Sequence, residues 1–178
     1  PQQYPMAGRS VLLRNLGNLQ FEDVTEKVIP ELEDYGLINA IEVSDFNQDG
    51  ADDLVIAGEW TRVGLFENSE GTFQSITPKQ PFAEDKGWWF SLAETDFNDD
   101  GLPDFVVGNV GLNTKFKVSE DAPLLVYGND FDENGTWDVV LSVKKKDGLL
   151  PVRGRECSSQ QMPFIKDKFP TYDLFAKA

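Results

Sequence analysis

A loop pattern that occurs three times is the feature that most constrains how this chain folds. The copies begin at Asp45, Asp96 and Asp130 and align without gaps as D-F-[ND]-x-[DN]-G-x-x-D followed by an apolar residue. Asp, Asn and Gly favour tight turns, and runs of β-branched or aromatic residues lie on both sides of each copy. This arrangement is typical of a β-hairpin rather than of a pair of helices. The sequence therefore predicts three hairpins with the same acidic loop.

A second element, which lacks the acidic residues, recurs between these hairpins. It consists of a strand, an Asn/Gly turn and a strand, and its two copies are marked by Asn15 and Asn68, which are 53 residues apart. The first two acidic loops are 51 residues apart. Four strands in a period of about 40–50 residues are typical of a β-propeller blade. The third acidic loop follows after only 34 residues, so we expect a shortened outer hairpin near residues 114–118, or a change of geometry there.

We predict an all-β fold, namely a partial β-propeller with about three four-stranded blades in residues 10–152. Four blades of this period need about 200 residues, so the 178 residues of the chain cannot close a ring alone. We expect the ring to be completed by the remaining blades of a parent protein or by a second copy of the chain. A start at Pro1, without an initiator methionine, favours a piece of a longer protein.

The last part of the chain, residues 153–178, has a helical pattern. We expect Ser158 and Ser159 to cap a helix over residues 160–168. We expect Thr171 to cap a second helix over residues 172–178.

The composition excludes several classes of function. Lys and Arg number 16 against 31 Asp and Glu, which gives a net charge of −15, and such a surface repels nucleic acids. The chain has no histidine, which removes His-activated nucleophiles and imidazole metal sites. We expect no transmembrane segment, because no long apolar run is present. The single cysteine, Cys157, cannot form an internal disulfide.

The loop spacing predicts a cation site in each copy. Side-chain oxygens occur at positions 1, 3, 5 and 9, the residue at position 7 can offer its carbonyl oxygen, and the glycine at position 6 permits the reversal of the chain. Six to eight oxygen ligands in a tolerant geometry favour Ca²⁺ over Mg²⁺ or Zn²⁺, so we predict about three calcium sites. The predicted ligands are Asp45, Asn47, Asp49, Ala51, Asp53, Asp96, Asn98, Asp100, Leu102, Asp104, Asp130, Asp132, Asn134, Thr136 and Asp138.

Two other interpretations of the loops must be weighed. An EF-hand uses the same first positions but needs a bidentate Glu at position 12 and flanking helices, whereas position 12 here is Ile56, Val107 and Leu141. The other alternative is a metal-free turn held by Asx hydrogen bonds. Three carboxylates converging in each of three loops favour the cation, because their mutual repulsion otherwise opposes folding.

The loop motif, its hairpin setting and the blade-length period resemble the FG-GAP/VCBS repeats. These calcium-loop propeller repeats occur in integrin α subunits and in many bacterial secreted or surface proteins. The resemblance covers roughly residues 10–145, and residues 21–25 are similar to the F-x-D-V-T found at blade starts in bacterial members. It implies a rigid, calcium-stabilised, extracytoplasmic scaffold that contacts a protein or a glycan.

Two classes of function fit these features. The first is a structural or ligand-binding module of a larger secreted or cell-surface protein, in which Trp60, Trp88, Trp89 and Phe90 are either a contact surface or packing between blades. The second is a fragment of a carbohydrate-active enzyme, a glycosidase or lyase. Every clustered pair of carboxylates belongs to a loop with metal spacing, so we expect no catalytic activity. The acids expected to be isolated and solvated are Glu42, Glu59, Glu67 and Glu94.

Overall fold

The computed structural model describes residues 4–111, 113–145 and 148–177. Strands dominate these residues, and all strand pairs are antiparallel. The strands are β1 (Leu13–Gly17), β2 (Gln20–Asp23), β3 (Leu37–Ser44), β4 (Asp53–Thr61), β5 (Gly64–Ser69), β6 (Thr72–Ser75), β7 (Gly87–Thr95), β8 (Asp104–Asn109), β9 (Leu124–Asn129), β10 (Asp138–Lys145) and β11 (Gly148–Pro151). The helices are α1 (Thr25–Val28), α2 (Arg155–Gln161), α3 (Phe164–Lys168) and α4 (Tyr172–Ala176), with 3-10 turns at Pro30–Leu32 and Thr77–Lys79. The predicted β-rich fold is confirmed, and none of the helices in the described ranges has the length and apolar character to cross a membrane.

The described residues form two compact units, of which one comprises residues 7–111. In this unit β3, β4, β5 and β6 pair in sequence order as an antiparallel meander. The C-terminal end of β4 also pairs with β7, which pairs with β8. Strand β4 is therefore the centre of the sheet, and the first acidic loop leads directly into it.

The apolar run of β4 explains this central place. Val55, Ile56 and Ala57 are completely or almost completely buried, as expected for a strand covered on both faces. Ile56 packs in a cluster with Phe66 of β5 and with two residues of the helical segment after β2, Ile29 and Leu32. This core fixes the hairpin at whose tip the first loop lies.

The second repeated element predicted from the sequence is confirmed by the pairs β1–β2 and β5–β6. Each pair is followed by a short helical turn that begins with a buried threonine, Thr25 or Thr77. The Oγ1 atom of Thr25 accepts a hydrogen bond from Leu12 N, and that of Thr77 accepts one from Leu65 N, both at 2.8 Å. The two copies thus share a side-chain contact as well as a strand pattern.

The second unit contains the remaining described residues, with β10 at the centre of the sheet β11–β10–β9. The predicted helix with Ser158 and Ser159 as caps is wrong, because α2 begins at Arg155 and both serines lie inside it. Burial of the Arg155 side chain, which donates hydrogen bonds to the carbonyl oxygens of Phe169 and Pro170, accounts for the earlier start.

The second helix prediction is confirmed in its cap. Thr171 precedes α4 and its Oγ1 accepts a hydrogen bond from Leu174 N at 3.3 Å. Ala178, the last residue of the predicted helix, lies outside the described residues.

The prediction of about three four-stranded blades is not confirmed. Within the described ranges a four-stranded meander forms once, from β3 to β6. Residues 113–118 form no strand, and the shortened hairpin expected there is reduced to a single bridge between Ser119 and Ala122.

Candidate cation sites in three hairpin loops

Each acidic loop joins two adjacent antiparallel strands, namely β3 to β4, β7 to β8 and β9 to β10. The glycine at position 6 has a positive φ of 89°, 82° and 83° in the three loops, a conformation that glycine adopts without steric cost. Position 4 is also left-handed, at Gln48, Asp99 and Glu133, with φ of 60°, 57° and 57°. The three loops therefore have one backbone conformation, and the register inferred from the sequence applies to all of them.

The first aspartate organises each loop through both of its carboxylate oxygens. In the first loop, Asp45 Oδ1 accepts a hydrogen bond from Asp49 N at 3.0 Å, and Oδ2 accepts one from Gly50 N at 2.9 Å. In the second loop, Asp96 accepts the corresponding bonds from Asp100 N and Gly101 N, at 3.1 and 2.8 Å. In the third loop, Asp130 accepts them from Asn134 N and Gly135 N, at 3.0 and 2.8 Å. These bonds turn the tip of each loop back over its first residue.

The residues at positions 3, 5 and 7 lie on the inner side of the same turn. The position-5 side chain accepts a hydrogen bond from the position-7 backbone N–H at 2.8 Å in every loop. The donor residues at position 7 are Ala51, Leu102 and Thr136. The amides at position 3 are Asn47 and Asn98. In each, Nδ2 donates to the carboxylate of the position-5 aspartate, and Oδ1 accepts from the backbone N–H of the same aspartate.

The aspartates at position 9 are the most enclosed of the set. Asp53 and Asp138 are buried, with relative exposures of 0% and 2%, and Asp104 is half-buried. The backbone N–H at position 2 donates to Asp104 Oδ2 at 2.9 Å and to Asp138 Oδ2 at 3.0 Å. These residues are the first of β4, β8 and β10, so strand pairing fixes the position of each aspartate at the end of its loop.

One carboxylate oxygen of the buried Asp53 lacks a hydrogen-bond partner. Its Oδ1 accepts a hydrogen bond from Asn68 N at 2.8 Å, whereas its buried Oδ2 has no hydrogen-bond partner. Burial raises the pKa of Asp53, and the charges of Asp49 and Asp45 also raise it, against the opposite effect of the backbone N–H groups of Asn68 and Phe46. A buried carboxylate without compensating charge is unfavourable, so this oxygen fits a bound cation better than an empty loop.

The third loop gathers its acids most closely. Among the residues that the structure describes, Asp130, Asp132 and Asp138 are the three acids whose carboxylate oxygens lie within 4.8 Å of one another. Asp132 Oδ1 is buried and unsatisfied. Burial raises the pKa of Asp138, and the charges of Asp132 and Asp130 add to this effect. The donor set consists only of oxygen atoms, as hard divalent cations require.

Several contacts around the loops were not found from the sequence. Glu67, expected to be solvated, accepts a hydrogen bond from Asn47 Nδ2 at 2.9 Å. Gln48 Nε2 donates to the carbonyl oxygen of Gly101 at 2.7 Å and so joins the first two loops. Gln161 of α2 forms a side-chain hydrogen bond with Asp138. All of these partners are distant in sequence, and the strand register that brings Glu67 near the loop is the signal that could have revealed its contact.

The aromatic residues form a row on one side of the β4–β7 pair. The ring centroids of Trp60 and Trp88 are 4.8 Å apart, and those of Trp88 and Phe90 are 6.0 Å apart. Trp88 Nε1 donates to Glu59 Oε2 at 2.6 Å. Phe90 is exposed, whereas the two tryptophans are half-buried, so the row is largely engaged in packing within the chain.

Antiparallel hairpins with a repeated acidic loop thus define a β-repeat protein. Residues 45–107 match the family model of the FG-GAP-like repeat, and this match supports an FG-GAP repeat in that segment. The matched segment extends from the first residue of the first acidic loop into β8, so it includes two of the three loops and the meander strands β4 to β6. A search of curated proteins found no match.

Proposed function

We propose that this chain is a calcium-binding β-propeller repeat module that acts as a structural and ligand-interaction scaffold in a larger secreted or cell-surface protein. The observation that carries the proposal is the buried Asp53, whose Oδ2 has no partner while Asp45 and Asp49 lie in the same loop. A divalent cation supplies the positive charge that this arrangement lacks. The repeated loop conformation extends the argument to the other two sites.

The role of calcium in this proposal is architectural. Each loop connects two neighbouring strands, so a cation held by both ends of the loop stabilises the hairpin in its folded form. Three calcium ions change the formal net charge from −15 to −9, which reduces the self-repulsion of the acidic chain. The meander β3 to β6 is the segment to which we assign one complete blade.

The proposal gives the chain no catalytic role and leaves its loop acids to the cation. An extracytoplasmic location fits it, because calcium is abundant there and FG-GAP repeats are typical of extracellular domains. We assign the partner to the class of proteins or glycans, which would contact exposed loops.

Calorimetric titration of the chelator-treated protein with Ca²⁺ tests the proposal directly. We expect a stoichiometry near three, and the single variants Asp45→Asn, Asp96→Asn and Asp130→Asn should each remove one site. The matched control is Glu94→Gln, an exposed acid two residues before the second loop, which should leave the stoichiometry unchanged. Absence of calcium binding by the wild-type protein contradicts the proposal.

A further inference from the structure

Glu67 lies beside the first loop although it belongs to β5 and is not part of the loop motif. The register of β4 and β5 pairs Leu54 with Phe66, and one further step along the two strands brings Glu67 opposite Asp53. Directly opposed residues of an antiparallel pair place their side chains on the same face. Glu67 is only half-buried, and its Oε1 reaches the loop by accepting the hydrogen bond from Asn47 Nδ2 at 2.9 Å.

This contact determines the orientation of the Asn47 amide. A carboxylate only accepts hydrogen bonds, so Glu67 holds the NH₂ end of Asn47 towards β5. Asn47 Nδ2 donates at the same time to Asp49 Oδ2 at 2.9 Å, and Asn47 Oδ1 accepts from Asp49 N at 3.0 Å. The amide oxygen, which is the atom predicted to bind the cation, is therefore kept on the loop side.

The second loop provides a natural comparison. Asn98 occupies the same position as Asn47 and makes the same contact with its own loop, from Nδ2 to Asp100 Oδ2 at 2.9 Å. Within the described residues, Asn98 Nδ2 donates no hydrogen bond to an acid of a neighbouring strand. The first loop therefore combines an acidic side chain from a neighbouring strand with the buried, unpartnered oxygen of Asp53.

We propose that Glu67 is a functional part of the first cation site, in which it positions Asn47 and adds a negative charge to those of the three predicted carboxylate ligands. It makes this loop bind Ca²⁺ more tightly than the second loop. The inference rests on the proposed calcium-binding function. Outer contacts that orient a metal ligand typically contribute about 10–100-fold in affinity, and an added charge strengthens attraction at low ionic strength.

The experiment isolates the first site by combining Asp96→Asn with Asp130→Asn and titrating the protein with Ca²⁺. In this background, Glu67→Ala should weaken calcium binding about tenfold. Glu67→Gln should weaken it less, since Gln still accepts the hydrogen bond from Asn47, and the remaining loss should shrink at high salt. Glu70→Gln removes an equal charge from the exposed β5–β6 turn and should change the affinity less than twofold.

The melting temperature in chelator separates this role from a purely structural one. Without cation Glu67 adds to the repulsion among the loop acids, so Glu67→Gln should leave the melting temperature unchanged or raise it. If the parent background binds no calcium, the proposed function fails. If the parent binds calcium and Glu67→Ala binds it equally well, or if Glu67→Gln lowers the melting temperature as much in chelator as in calcium, the inference about Glu67 is overturned while the function stands.

Discussion

Substitution of the buried carboxylate of the first loop, Asp53→Asn, should have opposite effects on stability with and without calcium. The change keeps the acceptor for Asn68 N, whose bond to Oδ1 measures 2.8 Å. It replaces Oδ2, which has no hydrogen-bond partner in the structure, by an uncharged NH₂ group, which removes the repulsion from Asp49 and Asp45. In chelator, we therefore expect the variant to be as stable as the wild type or more stable.

In calcium the expected effect is a loss of stability. A ligand that binds only the folded state at 100 times its dissociation constant stabilises that state by about 2.7 kcal/mol. For a chain of this length that corresponds to a decrease of roughly 5–10 °C in melting temperature when the first site is lost. The sign of the difference between variant and wild type should thus reverse when calcium replaces the chelator.

The pH dependence in chelator provides an independent readout of the same group. The pKa of Asp53 is raised from 3.8, chiefly by burial and also by the charges of Asp49 and Asp45, although hydrogen bonds from the backbone of Asn68 and Phe46 lower it. The contribution of this carboxyl is therefore fully present below pH 3.8 and is lost as the pH rises through the raised pKa. The wild-type protein in chelator should lose stability over this range, and Asp53→Asn should lose less.

Thermal melts in chelator and in calcium, at matched ionic strength, measure these effects. Asp52→Asn, which removes the same charge from the exposed neighbouring residue, is the control and should show no reversal of sign. Equal destabilisation by Asp53→Asn in both conditions would refute the reasoning, because it would assign the carboxylate a structural role without a cation.

Two further predictions concern other parts of the chain. The hydrogen bond from Arg9, followed by those from Thr25, lowers the pKa of Asp23 from 3.8 to about 2, so its contribution to stability is present above pH 3.8 and is lost as the pH falls towards 2. In urea unfolding at pH 2–5, Asp23→Asn should make the free energy of unfolding fall less steeply with decreasing pH. An unchanged pH dependence would contradict this assignment. Gly58→Ala should lower the free energy of unfolding by about 1–3 kcal/mol in the same assay, because its Cβ would clash with the backbone carbonyl of Leu37. The control is Gly154→Ala, whose Cβ has no neighbour within 4 Å and which should lower it far less. Equal losses of stability in the two variants would show that the clash is relieved.

The hairpins and loops were predictable because their signals are local. The sequence D-F-[ND]-x-[DN]-G determines a turn through residues that lie within a few positions of one another, and the φ of 89° at Gly50 follows from that chemistry. The β-branched or aromatic runs before and after each loop likewise predicted β3, β4, β7 and β8 at nearly their observed positions. These features need no knowledge of the remainder of the fold.

Contacts between distant segments were not predictable in the same way. Glu67 was interpreted as a solvated acid, because nothing near it in sequence indicates that β5 places it beside Asn47. The left-handed conformation of Gln48 was also missed, since the motif leaves position 4 variable. The start of α2 at Arg155 depends on a buried guanidinium that binds the carbonyl oxygens of residues 169 and 170, and a preference for serine at helix caps carries no information about that pairing.

The bond from Gln48 Nε2 to the carbonyl oxygen of Gly101 has a practical consequence for anyone who wishes to label this protein. A tag or fluorophore inserted at the tip of the first or the second acidic loop would break this hydrogen bond between the two loops. The exposed turn at residues 70 and 71, between β5 and β6, takes no part in that contact. An epitope inserted there should leave the contact between the first two acidic loops intact.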